Sequence, residues 1–407
     1  MQPQNQKLSD KSYRWVLLFL AASTATLVVA MPSMALPVLF AEISADLGLS
    51  LVQIGAIWGA GSFAGLFTGL AGGAVGDRFG TKLTLAIGCL AAGLTGALQG
   101  FSSDFVTLAA TVILNGLVVT SMPMNLHKTC GVWFSGKRLG LANAVVAAGM
   151  AFGFMTGSML SATVLSPWLG GWRQVLFFYA GVAVLMSLPW FLSRSAPGDG
   201  AGSELARDMP SMRRALSQVI RLRSVWLLGL ALLGVGGCVQ GMLGYLPLYL
   251  REVGWPAIRA DGALAAFHAT SMASVFPLAL MSDRLGSRKK LLVVATLMTA
   301  TGVGLLSIAE GALVWVAVLM AGAVRDGYMA ISLTAATELD GVGVAYAGTA
   351  MGLTLTLSRL GGLIAPPLGN SLASLAPALP FAFWAAMALM ALAALHRFSE
   401  PAAQTMS

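Results

Sequence analysis

Apolar residues in this chain neither alternate nor recur in a narrow stripe. They come in long blocks separated by short polar breaks, over nearly the whole length. A block of eighteen or more such residues spans the ~30 Å hydrocarbon core of a bilayer as one helix. Twelve blocks are read, at about 15–40, 51–75, 83–101, 105–128, 140–165 and 174–193, then at about 224–250, 261–281, 291–309, 312–337, 345–373 and 379–395. The first is too long for the apolar core of a cleavable leader, so it is read as a retained helix, in which Pro32 and Pro37 favour a kink. The expected fold is an all-α polytopic membrane protein of twelve transmembrane helices. Its expected divisions are residues 1–193, a cytoplasmic linker at 194–223, and residues 224–407. Within the linker Met212, Leu216, Val219 and Ile220 recur at helical spacing with arginines on other faces. That pattern fits a short helix on the bilayer surface, and a flexible tether equally.

Composition agrees with this pattern. The 407 residues are 57% hydrophobic and 10% charged, with mean hydropathy +0.81, whereas a soluble domain carries about 25% charged residues. The 48 glycines suit helices that approach closely in a membrane. Cys89, Cys130 and Cys238 have neither the number nor the spacing of a disulfide framework or a metal site, and no cofactor motif is found. The net charge of +8 is not a nucleic-acid face, because its cations gather in every second loop. Of the 24 lysines and arginines, only Arg173, Arg251 and Arg259 fall in the opposite loops, and Arg325 and Arg359 lie within apolar blocks. The asymmetry predicts both termini in the cytoplasm, in a bacterial inner (plasma) membrane.

Two loops carry a repeated motif. Gly73-x-x-x-Asp77-Arg78-x-Gly80-x-Lys82 joins helices 2 and 3, and Asp283-Arg284-x-Gly286-x-Arg288 joins helices 8 and 9, with Ala279 where the leading glycine would be. Glycines there permit tight turning and close backbone approach. Two copies at equivalent places in a six-plus-six layout resemble the signature loop of the major facilitator superfamily (MFS), and the resemblance covers the whole chain. Gly170-Gly171-Trp172-Arg173 before helix 6 is also similar to it. The resemblance implies two pseudo-symmetric six-helix bundles, alternating access and a monomer. It also implies a cytoplasmic gate in which Asp77 faces the start of helix 11 near Tyr346 and Asp283 faces helix 5 near Gly140. Gly149, Gly153 and Gly157 resemble the superfamily's antiporter motif without its proline, and Val112 stands where many proton-coupled members carry an arginine.

Charges inside a membrane are costly and mark functional sites. Helices 1–6 have none away from their ends, whereas Arg325 and Asp326 lie in helix 10 and Arg359 in helix 11. Adjacent helical residues point about 100° apart. Arg325 is therefore expected to share a small, polar, cavity-facing side with Gly322, Tyr328 and Ser332, and Asp326 a packing side with Ala323, Ala330 and Leu333. Asp326 is expected to pair with Arg359 between helices, leaving Arg325 to bind an anion, with Arg359, Tyr328 and Ser332 as the other candidate substrate-binding residues. The alternative is that Arg325, Asp326 and Arg359 form one structural network. His268, about two turns into helix 8, is either a proton-coupling group or a residue bonded across a helix interface. Asn115, Gln240, Tyr245 and Trp58 either line a cavity or pack.

The function these observations predict is secondary active transport of a small organic or inorganic anion, with proton symport or exchange. Its partners are the small-molecule substrate, protons or a counter-substrate, and membrane lipid, with no nucleic acid and no metal. The alternative is a proton-driven exporter of lipophilic compounds. A sensor or a membrane enzyme is disfavoured, since His127, His268 and His396 lie on different segments and no nucleotide loop of P-loop form is present.

Overall fold

The computed structural model describes residues 2–195, 212–285 and 287–398, with the side chains of all of these except 2–12, 68–75, 77, 137, 212, 213, 279, 283, 285, 344 and 345. Among the described residues the fold is helical, with no strand. α1 joins Gln2–Thr24, a π-helical segment Ala25–Ala30 and Met31–Leu47. α2 is Leu51–Phe79 and α3 is Thr81–Gly100. α4 consists of Phe105–Val119 and Met122–Trp133. α5 consists of Lys137–Leu160, a π-helical segment Ser161–Leu165 and Ser166–Leu169, and α6 is Trp172–Leu192. A short linker helix, Met212–Val219, precedes α7 (Arg223–Glu252), α8 (Ala257–Leu285) and α9 (Arg288–Leu305). α10 (Ala312–Glu338), α11 (Gly343–Ser371) and α12 (Leu379–Arg397) complete the chain. A helix thus occupies each apolar block. Nine of them are long and apolar enough to cross a membrane, counted over the described residues.

Two helices are interrupted close to their prolines, as the kink expected at Pro32 anticipates for the first. Pro32 has no N–H to offer Val28, and the turn before it rewinds so that the Met31 N–H reaches Thr26 O, five residues back. α4 breaks at Thr120 and Ser121, just before Pro123, and then runs to Trp133. Lys128, expected in a loop, is therefore helical.

The chain forms two compact units. One comprises Met1–Glu42 and Phe67–Ser203, the other Ile43–Leu66 and Glu204–Ser407. The first half of α2, to Leu66, groups with the later helices, whereas the sequence reading divides the chain at residue 193. In the first unit α5 lies against α1 along the Gly149, Gly153, Gly157 row. A methyl group at these positions would stand 2.9 Å from Ala22 O, 2.7 Å from Thr26 O and 2.5 Å from Met31 O. Glycine is the residue that allows such an approach. Thr26 Oγ1 uses the closeness, donating to Gly149 O at 2.7 Å, and Trp190 Nε1 donates to Thr24 Oγ1 at 2.9 Å.

The linker helix buries Ala215 and Val219 against α11 and leaves Leu216 and Ile220 exposed. Its small-residue face therefore docks on protein, a third outcome beside the surface helix and the tether. Residues 196–211 lie outside the described residues.

Candidate functional site

Three helices of the second unit bring ionisable groups to one depth. Arg325 is thirteen residues from either end of α10. Arg359 is twelve residues before the end of α11, and His268 eleven residues after the start of α8. Successive helices alternate in direction, so at ~1.5 Å per residue all three lie about 17–20 Å from the same face. α8 begins at Ala257, earlier than expected, which places His268 three turns deep instead of two.

The pairing within this cluster is not the one the sequence suggests. Arg325 Nη1 meets Asp326 Oδ1 at 2.5 Å, with both side chains under a third exposed. The 100° separation of neighbouring residues fixes where side chains leave the helix, but an arginine is long enough to fold back across that angle. The Asp326 N–H is also within 3.2 Å of Ser271 Oγ on α8, and His268, one turn before Ser271, lies in the field of both Arg325 and Asp326. Arg359 therefore does not take Asp326. Among the described residues no carboxylate pairs with it. Its side chain keeps accessible surface although it is closely surrounded at mid-helix, and after that crowding the nearest charge acting on it is the like charge of Arg325.

The face expected to line a cavity is packed. Gly322 lies on Phe267, where a methyl would stand 2.5 Å from the carbonyl oxygen, and Tyr328 and Ser332 are 3% and 0% exposed. The Ser332 hydroxyl finds no hydrogen-bond partner among the described residues, and the Tyr328 hydroxyl lies beside Thr296 of α9. Of the other polar candidates, Asn115 Nδ2 bonds Ala92 O and Thr95 Oγ1, each at 3.0 Å. Tyr245 Oη donates to Pro377 O at 3.0 Å, and Trp58 Nε1 donates to Gln240 O at 2.7 Å. All are engaged in packing contacts.

Arg359 closes a seam between α2 and α11. A methyl at Gly55 would lie 2.7 Å from Pro366 O, one at Gly59 2.5 Å from Leu363 O, and one at Gly362 2.7 Å from Ser62 Oγ. Pro367 offers no N–H to Leu363 O, so this carbonyl is turned to the neighbouring helix instead of to its own next turn. Asn370 Nδ2 adds a bond to Leu51 O at 2.8 Å. One helical turn beyond Gly362 the seam ends, with the Arg359 side chain across Gly65. The guanidinium thus stands where tight packing stops. Gly59→Val overfills the seam, at a cost of about 1–3 kcal/mol. The variant is expected to melt earlier and to expose Ser62, which labelling of Ser62→Cys by a polar thiol reagent would detect. Unchanged labelling would mean that the seam tolerates the added methyls.

The two loop motifs are only partly described. Gly80 has φ 80° and ψ 156°, a conformation suited to glycine, and starts α3. Arg78 is exposed beside the Phe79 ring, Lys82 is half-buried and Arg284 is exposed. Arg288 grips Glu338 at the end of α10 through Nε at 2.5 Å and Nη2 at 2.6 Å, and reaches Ser282 Oγ at 3.3 Å. Lys289 Nζ donates to the carbonyls of His396 and Phe398 at 2.8 and 2.6 Å. The second motif thereby ties the ends of α8, α9, α10 and α12. Gly73 lies in α2. The side chains of Asp77 and Asp283, and Gly286 altogether, lie outside the described residues, and so do the contacts expected of Asp77 with helix 11 and of Asp283 with helix 5.

The Major Facilitator Superfamily model matches residues 18–366. The chain belongs to this superfamily. A probable L-galactonate transporter of Escherichia coli (strain K12) is 26% identical over 241 residues, which is 54% of this chain and 51% of that protein. The chain thus aligns with about half the length of this relative. Two solved structures share the fold of this superfamily member. A bacterial homolog to the human lysosomal transporter Spinster, in an inward-facing and unoccupied conformation, is 15% identical and covers 95% of this chain and 96% of its own, with TM-score 0.74. The nucleoside transporter NupG is 12% identical and covers 94% of this chain and 100% of its own, with TM-score 0.79. The chain is accordingly an integral membrane protein.

Ser271 is the residue that sequence reasoning missed. A lone serine in an apolar helix carries no motif. Its place three residues after His268, on the same helical face, was the available signal.

Proposed function

We propose that this protein is a secondary active transporter that works by alternating access and carries a small organic anion, in symport with a proton or in exchange for another anion. The observation that carries this reading is Arg359, a closely surrounded but still accessible cation deep in a helix, which no described carboxylate neutralises. A cation so placed is costly unless water or an anion reaches it. An arginine also offers a carboxylate two parallel hydrogen bonds. Arg359 is the substrate-binding residue in this reading, in place of Arg325. The partial match to a protein named as a probable transporter of L-galactonate, itself an organic anion, is consistent with it.

Arg325, Asp326 and His268 form the adjoining charge-pairing and proton-coupling group. Tyr328 and Ser332 take a packing role. The gate residues Asp77, Arg78, Lys82, Asp283, Arg284 and Arg288, with Gly73, Gly80 and Gly286, act on the cytoplasmic side. The protein resides as a monomer in the inner membrane of a bacterium, both termini cytoplasmic.

A thermal-shift screen of the purified protein tests the reading, using small carboxylates, inorganic anions and cationic drugs. A ligand at a hundred times its Kd adds about 2.7 kcal/mol, so carboxylates are expected to raise the melting temperature. Stabilisation by cationic drugs alone would overturn the proposal in favour of an exporter of lipophilic compounds.

A further inference from the structure

The charges of the cluster do not sum to zero. Arg325 and Asp326 cancel as an ion pair, Arg359 adds one positive charge, and His268 adds another only when it takes up a proton. Apart from the Arg251–Asp261 ion pair near the outer ends of α7 and α8, the described helices of the second unit carry no other charged residue between their ends. His268 is fully buried, and Arg325 and Asp326 of α10 are among the groups that act on it. Of the other helices packed against α8, α7 offers Cys238, Tyr245 and Tyr249 between its charged ends, all neutral near pH 7, and α9 offers no ionisable group beyond its first turn. The sum is therefore one positive charge with His268 neutral and two with His268 protonated.

An uncompensated charge in a low-dielectric interior is removed most simply by a bound counter-ion of matching charge. We infer that the cluster is matched to a single carboxylate: a monoanion neutralises it as it stands, and a dianion is neutralised only when His268 takes up a proton with it. This selectivity rests on the anion reading above and goes beyond it, because it sets the charge of the substrate and links the second charge to pH. His268 serves here as the proton acceptor, with its ring held at the depth of Arg359 and beside the Arg325–Asp326 pair. Proton uptake raises the positive charge of the cluster by one, and the second carboxylate of a dianion cancels it. A dianion therefore binds more tightly as pH falls, and a monoanion does not.

The test is calorimetry on the purified full-length protein with two matched pairs of acids, gluconate with glucarate and threonate with tartrate. Each pair shares a carbon chain and differs by a second carboxylate, ionised throughout pH 6 to 8. Affinity for glucarate and tartrate is expected to rise by up to about tenfold per unit fall in pH. Repetition in buffers of different ionisation enthalpy is expected to show about one proton taken up per dianion bound and none per monoanion. In His268→Gln the dianion slope and the proton uptake both vanish. Dianion binding without uptake, or monoanion binding with it, overturns the charge rule on the wild-type protein alone. Uptake that persists in a folded His268→Gln protein overturns the assignment to His268. Failure of all four acids to bind would remove the anion reading, and this inference with it.

Discussion

Arg359→Ala is expected to lower anion affinity by about 30- to 4,000-fold, the equivalent of the 2–5 kcal/mol by which removing one member of a desolvated charge pair weakens binding. The same substitution is expected to leave the fold intact. Arg359 holds no described carboxylate, so its removal orphans no partner, and it takes an unbalanced cation out of the membrane interior. Arg359→Lys restores the charge without the planar fork and should recover part of the lost affinity. Calorimetric titration with the carboxylate found by the thermal-shift screen, together with a denaturation midpoint, separates these effects. Unchanged affinity would end the binding role. A fall in stability with no change in affinity would make Arg359 a packing residue.

Asp326→Ala carries the largest expected cost in stability. It removes the carboxylate that partners Arg325, and leaves a half-buried cation at mid-membrane. Breaking a buried ion pair from one side costs about 3–5 kcal/mol, and the partial exposure of this pair puts the expectation near the lower end, about 3 kcal/mol. The double variant Asp326→Ala with Arg325→Ala should regain most of that loss, because no unpaired charge remains. Asp326→Ala with Arg359→Ala should not. Denaturation midpoints of the four proteins decide between the two arginines as partners of Asp326. Recovery with Arg359 instead of Arg325 would restore the interhelical pair that the sequence suggests.

Most of the architecture was legible before any coordinates. Helix positions followed from the lengths of the apolar blocks, since crossing a bilayer is a one-dimensional requirement on length and polarity. α7, expected at about 224–250, runs Arg223–Glu252, and α10, expected at about 312–337, runs Ala312–Glu338. The glycine row of α5 and the break before Pro123 in α4 were visible as residue types, although the partner helix of the row was not. The candidate site was legible only as a set of residues. Arg325, Asp326, Arg359 and His268 stood out because ionisable groups are rare in such helices. That Tyr328 and Ser332 are buried was not legible, because a polar face on a helical wheel does not say whether a neighbouring helix covers it.

The sequence by itself therefore determined the class of protein, its family, the twelve apolar blocks and the roster of intramembrane charges. Those properties depend on composition and spacing along one line. Tertiary structure decided that Asp326 answers to Arg325, that Ser271 joins them, that Arg359 stands at the end of the α2–α11 seam with no carboxylate partner among the described residues, and that the first half of α2 keeps company with the later helices. Each of these depends on how far a side chain reaches and how neighbouring helices are rotated. In a low-dielectric interior, differences of a few ångströms in those quantities determine which charge is neutralised and which remains to bind a ligand.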